Sequence, residues 1–185
     1  MNHTQAWCWH APGEPDQLTL TRQALPTPGP DEVLVANRII AFNPVDWKLI
    51  EQGHPHWQPG HVPGVDGMGT LVALGANVTH LRPGTRVAYH TDLRHGGSFA
   101  RHTLVPARAL MPVPHALSDE AAAALPCPGL TAWQALAKLP HLHGRPCSSR
   151  GLAAVSAASR CNLPLSRGPA SLPAPARATT SGSNS

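Results

Sequence analysis

After Pro146 the chain contains no acid, no aromatic residue, no histidine and no lysine; residues 147–185 are dominated by Ala, Ser, Pro, Arg and Gly. Such a segment cannot bury enough apolar surface to offset roughly 1–2 kcal/mol of backbone entropy per ordered residue. It is expected to be disordered, so any hydrophobic core must come from residues 1–146. That length suits one domain with an appendage and falls short of two full domains.

The break also locates the charge. Residues 1–146 hold ten basic and ten acidic side chains, and the net charge of +4 lies wholly in Arg150, Arg160, Arg167 and Arg177. Basicity therefore says little about what the folded part binds. Four tail arginines without aromatic interleaving do not make a nucleic-acid surface. No apolar run approaches the roughly 20 residues needed to span a bilayer, and "MNHTQAWCWHAPGEPDQ" lacks the basic start and apolar stretch of a secretory signal. A cytoplasmic protein without a membrane partner is expected.

Within residues 1–146 the pattern is mainly β. "EVLVANRIIAF" has the alternation and β-branched content of a strand entering a core. Gly69–Leu74 and Arg86–His90 read as strands around the Pro83-Gly84 turn signal, and "GSFARHTLVPARALMPVP" as a further extended pair. Short strands at this spacing predict a strongly bent sheet or a partly open barrel. A short helix is predicted after Ser118, a good N-cap with Asp119 and Glu120 in its first turn. Pro126 and Pro128 end it, and Leu130, Trp133, Leu136 and Ala137 give the next helix an apolar face. The predicted organisation is an N-terminal strand region at 1–30, a barrel core at 31–117, a helical connection at 118–146 and the disordered tail at 147–185.

Cys8, Cys127, Cys147 and Cys161 show no metal or disulfide spacing and are expected to be reduced. The His54/His56 and His141/His143 pairs lie among Pro, Gln and Gly with no ligand partner in sequence, and read as solvated loop histidines. Gly64, Gly67 and Gly69 spell G-x-x-G-x-G after a loop and before a strand. A dinucleotide fingerprint must follow a strand and open a helix, so these glycines are expected to relieve backbone crowding.

Taken in order, "AFNPVDWKLIEQG", "VPGVDGMGTLVALGANV", "LRPGTRVAYH" and "AALPCPGLTAWQAL" resemble the N-terminal part of a medium-chain dehydrogenase/reductase, nearest the zinc-independent quinone oxidoreductases. The resemblance covers residues 5–146. It implies a GroES-like, partly open barrel forming one wall of a cleft, with a Rossmann domain as the other wall. Where the zinc-dependent branch has its ligand Cys and its His-Glu pair, this chain has Asn43 and Val65-Asp66. Cys127 falls where that branch can place a further cysteine. A lone thiolate cannot close a tetrahedral site, so no metal is expected.

The resemblance further implies hydride transfer from NADPH to a small conjugated carbonyl or quinone. Asn43 and Trp47 are then the candidate catalytic residues, as a polar contact and a wall for a flat substrate. Asn43, Lys48 and Thr131 are candidate cofactor contacts, Lys48 through a phosphate and Thr131 through the nicotinamide amide. Phe42, Asp46 and Tyr89 are candidates for the substrate cleft. From the residues alone, Asn43-Pro44 also reads as a turn, Asp46 as a cap, Trp47 as a core aromatic and Lys48 as a solvated lysine. A homodimer is consistent with the family for an intact member.

In such a family the chain beyond "LPHLHGRP" should enter the first Rossmann strand and its glycine turn. Loss of one base near Pro146 accounts for its failure to do so. Each original codon is then the last base of one present codon plus the first two of the next. Residues from Pro146 to Ser171 then permit V-L-V-A-G-A-G-G-S-V-G-G-F-A-L-Q-L-A-L-V-A-G-A-R-V, a strand, a glycine turn, a helix and a second strand. Most positions leave one base free, but Cys161-Asn162 forces Gln because the other reading is a stop. The sequence thus predicts an oxidoreductase's substrate half followed by a frameshifted tail and lacking the cofactor domain, inactive as encoded. The alternative is a non-enzymatic GroES-like module that binds a protein partner.

Overall fold

The computed structural model describes residues 3–138. The predicted tail at 147–185, the end of the helical connection, His141, His143, Cys147 and Cys161 lie outside the described residues.

An antiparallel ribbon opens the fold, β1 (His3–Cys8) against β2 (Thr19–Ala24). Five more strands complete it: β3 (Glu32–Ala41), β4 (Asp66–Leu74), β5 (Arg86–His90), β6 (His102–Pro106) and β7 (Leu110–Pro112). They form one antiparallel sheet in the order β6-β3-β4-β5-β7. The ribbon joins the sheet region through Trp7 N–H to Phe99 O (2.8 Å) and Arg101 N–H to Gln5 O (2.8 Å). These are two open sheets and not a closed barrel.

Alternation places Val33, Val35, Leu71, Val87, Tyr89 and Val105 in one buried cluster. Side chains of this size are worth about 1.5–3 kcal/mol each when buried. The other face of β4 and β5 presents Met68 and Ala88 to the buried alanines Ala122 and Ala123 of helix α2 (Asp119–Ala124). Ser118 caps α2 as expected, its Oγ accepting from Ala121 N–H at 3.2 Å. Asp119 in the first turn meets Arg38 Nε at 3.1 Å and also pairs with Arg86.

Two local departures from the sequence reading matter for the site. Pro126 and Pro128 do not simply stop a helix: they lie in the first turn of α3 (Pro126–Ala137), where a missing N–H breaks no helical bond. And "PVDWKLIEQ", left without a helix by the sequence reading, is helix α1 (Pro44–Gln52). Its start is fixed by Pro44 at the first position and by Asp46, whose Oδ2 accepts the Asn43 N–H at 2.7 Å.

The glycines behave as the crowding argument requires. A Cβ on Gly67 would lie 2.3 Å from the Tyr89 hydroxyl, and one on Gly69 would lie 2.1 Å from the Ala36 carbonyl oxygen. On α3 and at the start of α1, Trp133 (56% exposed), Leu130, Trp47 and Phe42 (77% exposed) present apolar surface to solvent.

Candidate functional site

The site is organised by Asp66, a fully buried carboxylate at the first residue of β4. Its Oδ2 accepts the Asn43 Nδ2 at 3.0 Å and the Cys127 backbone N–H at 2.9 Å, while its Oδ1 meets His90 Nδ1 at 2.7 Å. Cys127 is the second residue of α3, so this N–H is one that no intrahelical carbonyl can accept. Asp66 therefore caps α3 from another strand, with a negative charge at the positive end of the helix. Three elements distant in sequence converge on one side chain.

Asn43 is buried, and its amide nitrogen retains a second N–H beyond the one given to Asp66. Phe42, next to Asn43 in the chain, and Trp47 of α1 are exposed; Phe42 tilts against Phe99 with ring centroids 5.0 Å apart. Lys48 Nζ lies 5.7 Å from the centre of the Trp47 ring. Thr131 is exposed on α3, where its hydroxyl donates back to the Cys127 carbonyl at 2.8 Å.

Two expected cleft residues are placed otherwise. Tyr89 is fully buried, its hydroxyl donating to Asn37 Oδ1 at 2.6 Å, and burial pushes its pKa up. Side chains alternate along a strand, so it is the next residue, His90, that reaches the Asp66 corner with its side chain 35% exposed. Asp46 is buried too: it caps α1 and its Oδ1 accepts the Val65 N–H at 3.1 Å. Both are scaffold residues. His90 and Asp66 were missed as partners of Cys127, although the period of two along "RVAYH" was a signal that Tyr89 and His90 face opposite ways.

Burial raises Asp46 to about 6, its two backbone hydrogen bonds opposing, with Asp66 adding to the rise and His90 reducing it. A carboxyl that binds its proton more tightly folded than unfolded favours the native state on acidification, and that gain disappears as pH rises through about 6. His61, stacked on Trp57 at 4.3 Å, is pushed the other way, to about 4, by burial and by His54. Its contribution is present above the ordinary histidine value and is lost as pH falls through about 4. The two oppose each other between about pH 4 and 6. We expect Asp46→Asn to unmask the His61 loss, making stability fall more steeply on acidification by up to about 3 kcal/mol across this window. Urea midpoints measured against pH for both proteins check this; equal slopes would refute the Asp46 assignment.

Residues 29–115 match the family model of the alcohol dehydrogenase GroES-like domain. The chain is 38% identical over 112 residues to a zinc-type alcohol dehydrogenase-like protein of Staphylococcus aureus, covering 60% of this chain and 33% of that one. It is 37% identical over 130 residues to a trans-enoyl reductase of Aspergillus flavipes, covering 65% and 37% of the two chains. The structure of a quinone oxidoreductase from Pseudomonas syringae superposes with a TM-score of 0.70 at 28% identity, over 76% of this chain and 42% of that one. The match to the alcohol dehydrogenase GroES-like domain thus covers the strands and loops from before β3 to after β7. The chain spans about a third of the length of these two curated relatives.

The relatives include one named zinc-type, but two of the positions matching the zinc-dependent branch, Asn43 and Val65, do not supply zinc ligands here. Val65 is buried and has no donor atom, and the Asn43 amide nitrogen is turned to Asp66 as a hydrogen-bond donor. His54 and His56 stack loosely, with ring centroids 5.4 Å apart. Asp66 and Cys127, at two further positions matching that branch, form with His90 the metal-capable group found among the described residues. No helix among them is long and apolar enough to cross a membrane.

Proposed function

We propose that this chain is the substrate-side half of a cytoplasmic NADPH-dependent oxidoreductase of the quinone or enone type, acting without the zinc of the zinc-dependent branch. The observation that carries the reading is the position of Asn43. It is held by Asp66, keeps an N–H to spare and lies in the chain beside the exposed Phe42 and one helical turn before the exposed Trp47. A preorganised donor beside a flat apolar wall suits a conjugated carbonyl that gains negative charge on oxygen as hydride arrives at carbon. NADPH would supply that hydride. On this chain, Asn43 would hold the developing oxyanion, Trp47 would orient the substrate plane, and Lys48 and Thr131 would contact the cofactor.

The relatives named as trans-enoyl reductase and quinone oxidoreductase support this substrate class. The shifted reading after Pro146 supports a cofactor half written one base out of frame. We infer that the 185-residue chain does not turn over by itself, and that an intact, frame-restored protein, as a homodimer, does. Sequencing the gene region tests the frame: a reading that fails to give the glycine turn once the slip is removed ends that part of the proposal.

Asn43→Ala in the frame-restored protein is expected to lower kcat about 100-fold, the usual effect of removing one oxyanion donor, with KM for NADPH little changed. Steady-state kinetics with a 2-enone and a quinone check it. A variant with undiminished kcat would remove Asn43 from the reaction. The exposed apolar rings also suit a protein-binding module, and a defined partner co-purifying with the 185-residue chain would favour that reading.

A further inference from the structure

The seam between the β1–β2 ribbon and the sheet holds a groove of about 330 Å³ that the reductase reading leaves unused. That volume falls within the range of small-ligand sites, about 300–1,000 Å³. We infer that the groove binds an aromatic carboxylate, its ring covering Trp7 and its carboxylate meeting Arg38 and Arg101. Asn43, Asp66, His90 and Cys127 do not line it, so the proposal stands whether or not the reductase reading does.

The register of the ribbon builds the apolar side. Burial alternates along β1, so Gln5 and Trp7 face outward while Thr4, Ala6 and Cys8 face in. Leu20 of β2 stands opposite Trp7, and directly opposed residues share a face. Trp7 is 45% and Leu20 52% exposed, and together with Ile40 and Phe99 they line the groove. The Trp7 N–H bond to Phe99 O fixes this wall to the sheet region. An indole and a leucine side by side at the surface gain by being covered, and a flat ring covers an indole best.

The two arginines receive the head. Arg101 Nε donates to Gln5 Oε1 at 2.9 Å, and Arg38 Nε lies 3.1 Å from Asp119 Oδ2. Each guanidinium is thus held from behind through its Nε. The terminal nitrogens of both have no hydrogen-bond partner among the described residues. A pair of such nitrogens is a rigid fork whose geometry matches the two oxygens of a carboxylate.

Charge complementarity sets the sign of the ligand. Asp119 is shared between Arg38 and Arg86, so one carboxylate answers two guanidiniums. Arg101 has only a neutral amide as its partner, and Arg22 stands opposite Gln5 across the ribbon. Among the described residues no acidic side chain lines the groove. Asn37, which does, gives its Nδ2 to the Ala100 carbonyl at 2.8 Å and to Thr103 Oγ1 at 2.9 Å, and its Oδ1 accepts from Tyr89. The arginines are therefore the donors left for a ligand, and a surplus of positive charge awaits it.

The test is isothermal titration of the 185-residue protein with 2-naphthoate, beside the uncharged 2-naphthalenemethanol and the aliphatic octanoate. Naphthoate should bind one-to-one with a Kd below about 1 mM, and the alcohol and octanoate each about tenfold or more weaker. Arg101→Gln should weaken naphthoate about tenfold, and Arg101→Lys, which keeps the charge and loses the fork, should recover only part of it. Trp7→Ala should weaken naphthoate and leave octanoate nearly unchanged. Replacing the tail arginines Arg150, Arg160, Arg167 and Arg177 with Gln should leave binding as it was. Circular dichroism of each variant reports whether it is folded. Absence of saturable naphthoate binding, equal binding of the alcohol or of octanoate, full affinity in a folded Arg101→Gln, or loss of binding in the tail variant would overturn the proposal.

Discussion

Asp66→Leu is expected to destabilise the domain by about 3–5 kcal/mol, the range for removing one partner of a buried charged network. Leucine fills similar space, so the loss is not a cavity effect. It leaves the Asn43 Nδ2, the Cys127 N–H and His90 Nδ1 without their acceptor. Each buried orphan costs about 1–3 kcal/mol, and α3 loses the only side-chain acceptor found at its first N–H groups among the described residues. Urea unfolding should show a lower midpoint with an unchanged slope. A loss below about 1 kcal/mol would mean that Asp66 is not the hub.

Gly69→Ala is the second large effect, at about 3 kcal/mol or more, at or above the usual limit for overpacking. Gly69 lies in the centre of β4, opposite Asn37 of β3 and Val87 of β5. An added Cβ meets the Ala36 carbonyl oxygen at 2.1 Å and its carbon at 2.8 Å. These are backbone atoms of a paired strand and cannot rotate aside. Gly84 is the control: its φ is +84° and a Cβ there meets nothing within 4 Å. Gly84→Ala should cost only about 1 kcal/mol, through left-handed strain alone. Similar melting temperatures for the two variants would contradict the crowding account.

Much of this was legible in the sequence because the signals are local. The β-branched run of β3, the Pro83-Gly84 turn and the Ser118 cap each carry their own chemistry. Helix α1 was missed although Asn43, Pro44 and Asp46 spell its start, because the same residues also spell a turn. The residues beyond Asp46 settle the choice, through the packing of Ile50 with Trp9 and Trp57. Tyr89 was assigned to the cleft by motif, where strand alternation sends it to the core. The Asp66 hub was out of reach for another reason: Asp66 and Cys127 stand 61 positions apart, and only the pairing of β4 with β5 and the docking of α3 bring the three side chains together. Asn43, singled out by resemblance, meets Asp66 at this corner, whereas Cys127 was read as standing alone.

We propose that residues 3–138 are one half of a hydride-transfer enzyme whose other half is spelled in a shifted frame. NADPH oxidation in the presence of a 2-enone or a quinone, measured side by side for the 185-residue chain and the frame-restored protein, tests it most directly. The account predicts turnover for the restored protein and a rate at the blank for the chain as encoded. Turnover by the 185-residue chain, or none by a folded restored protein that binds NADPH, would contradict it.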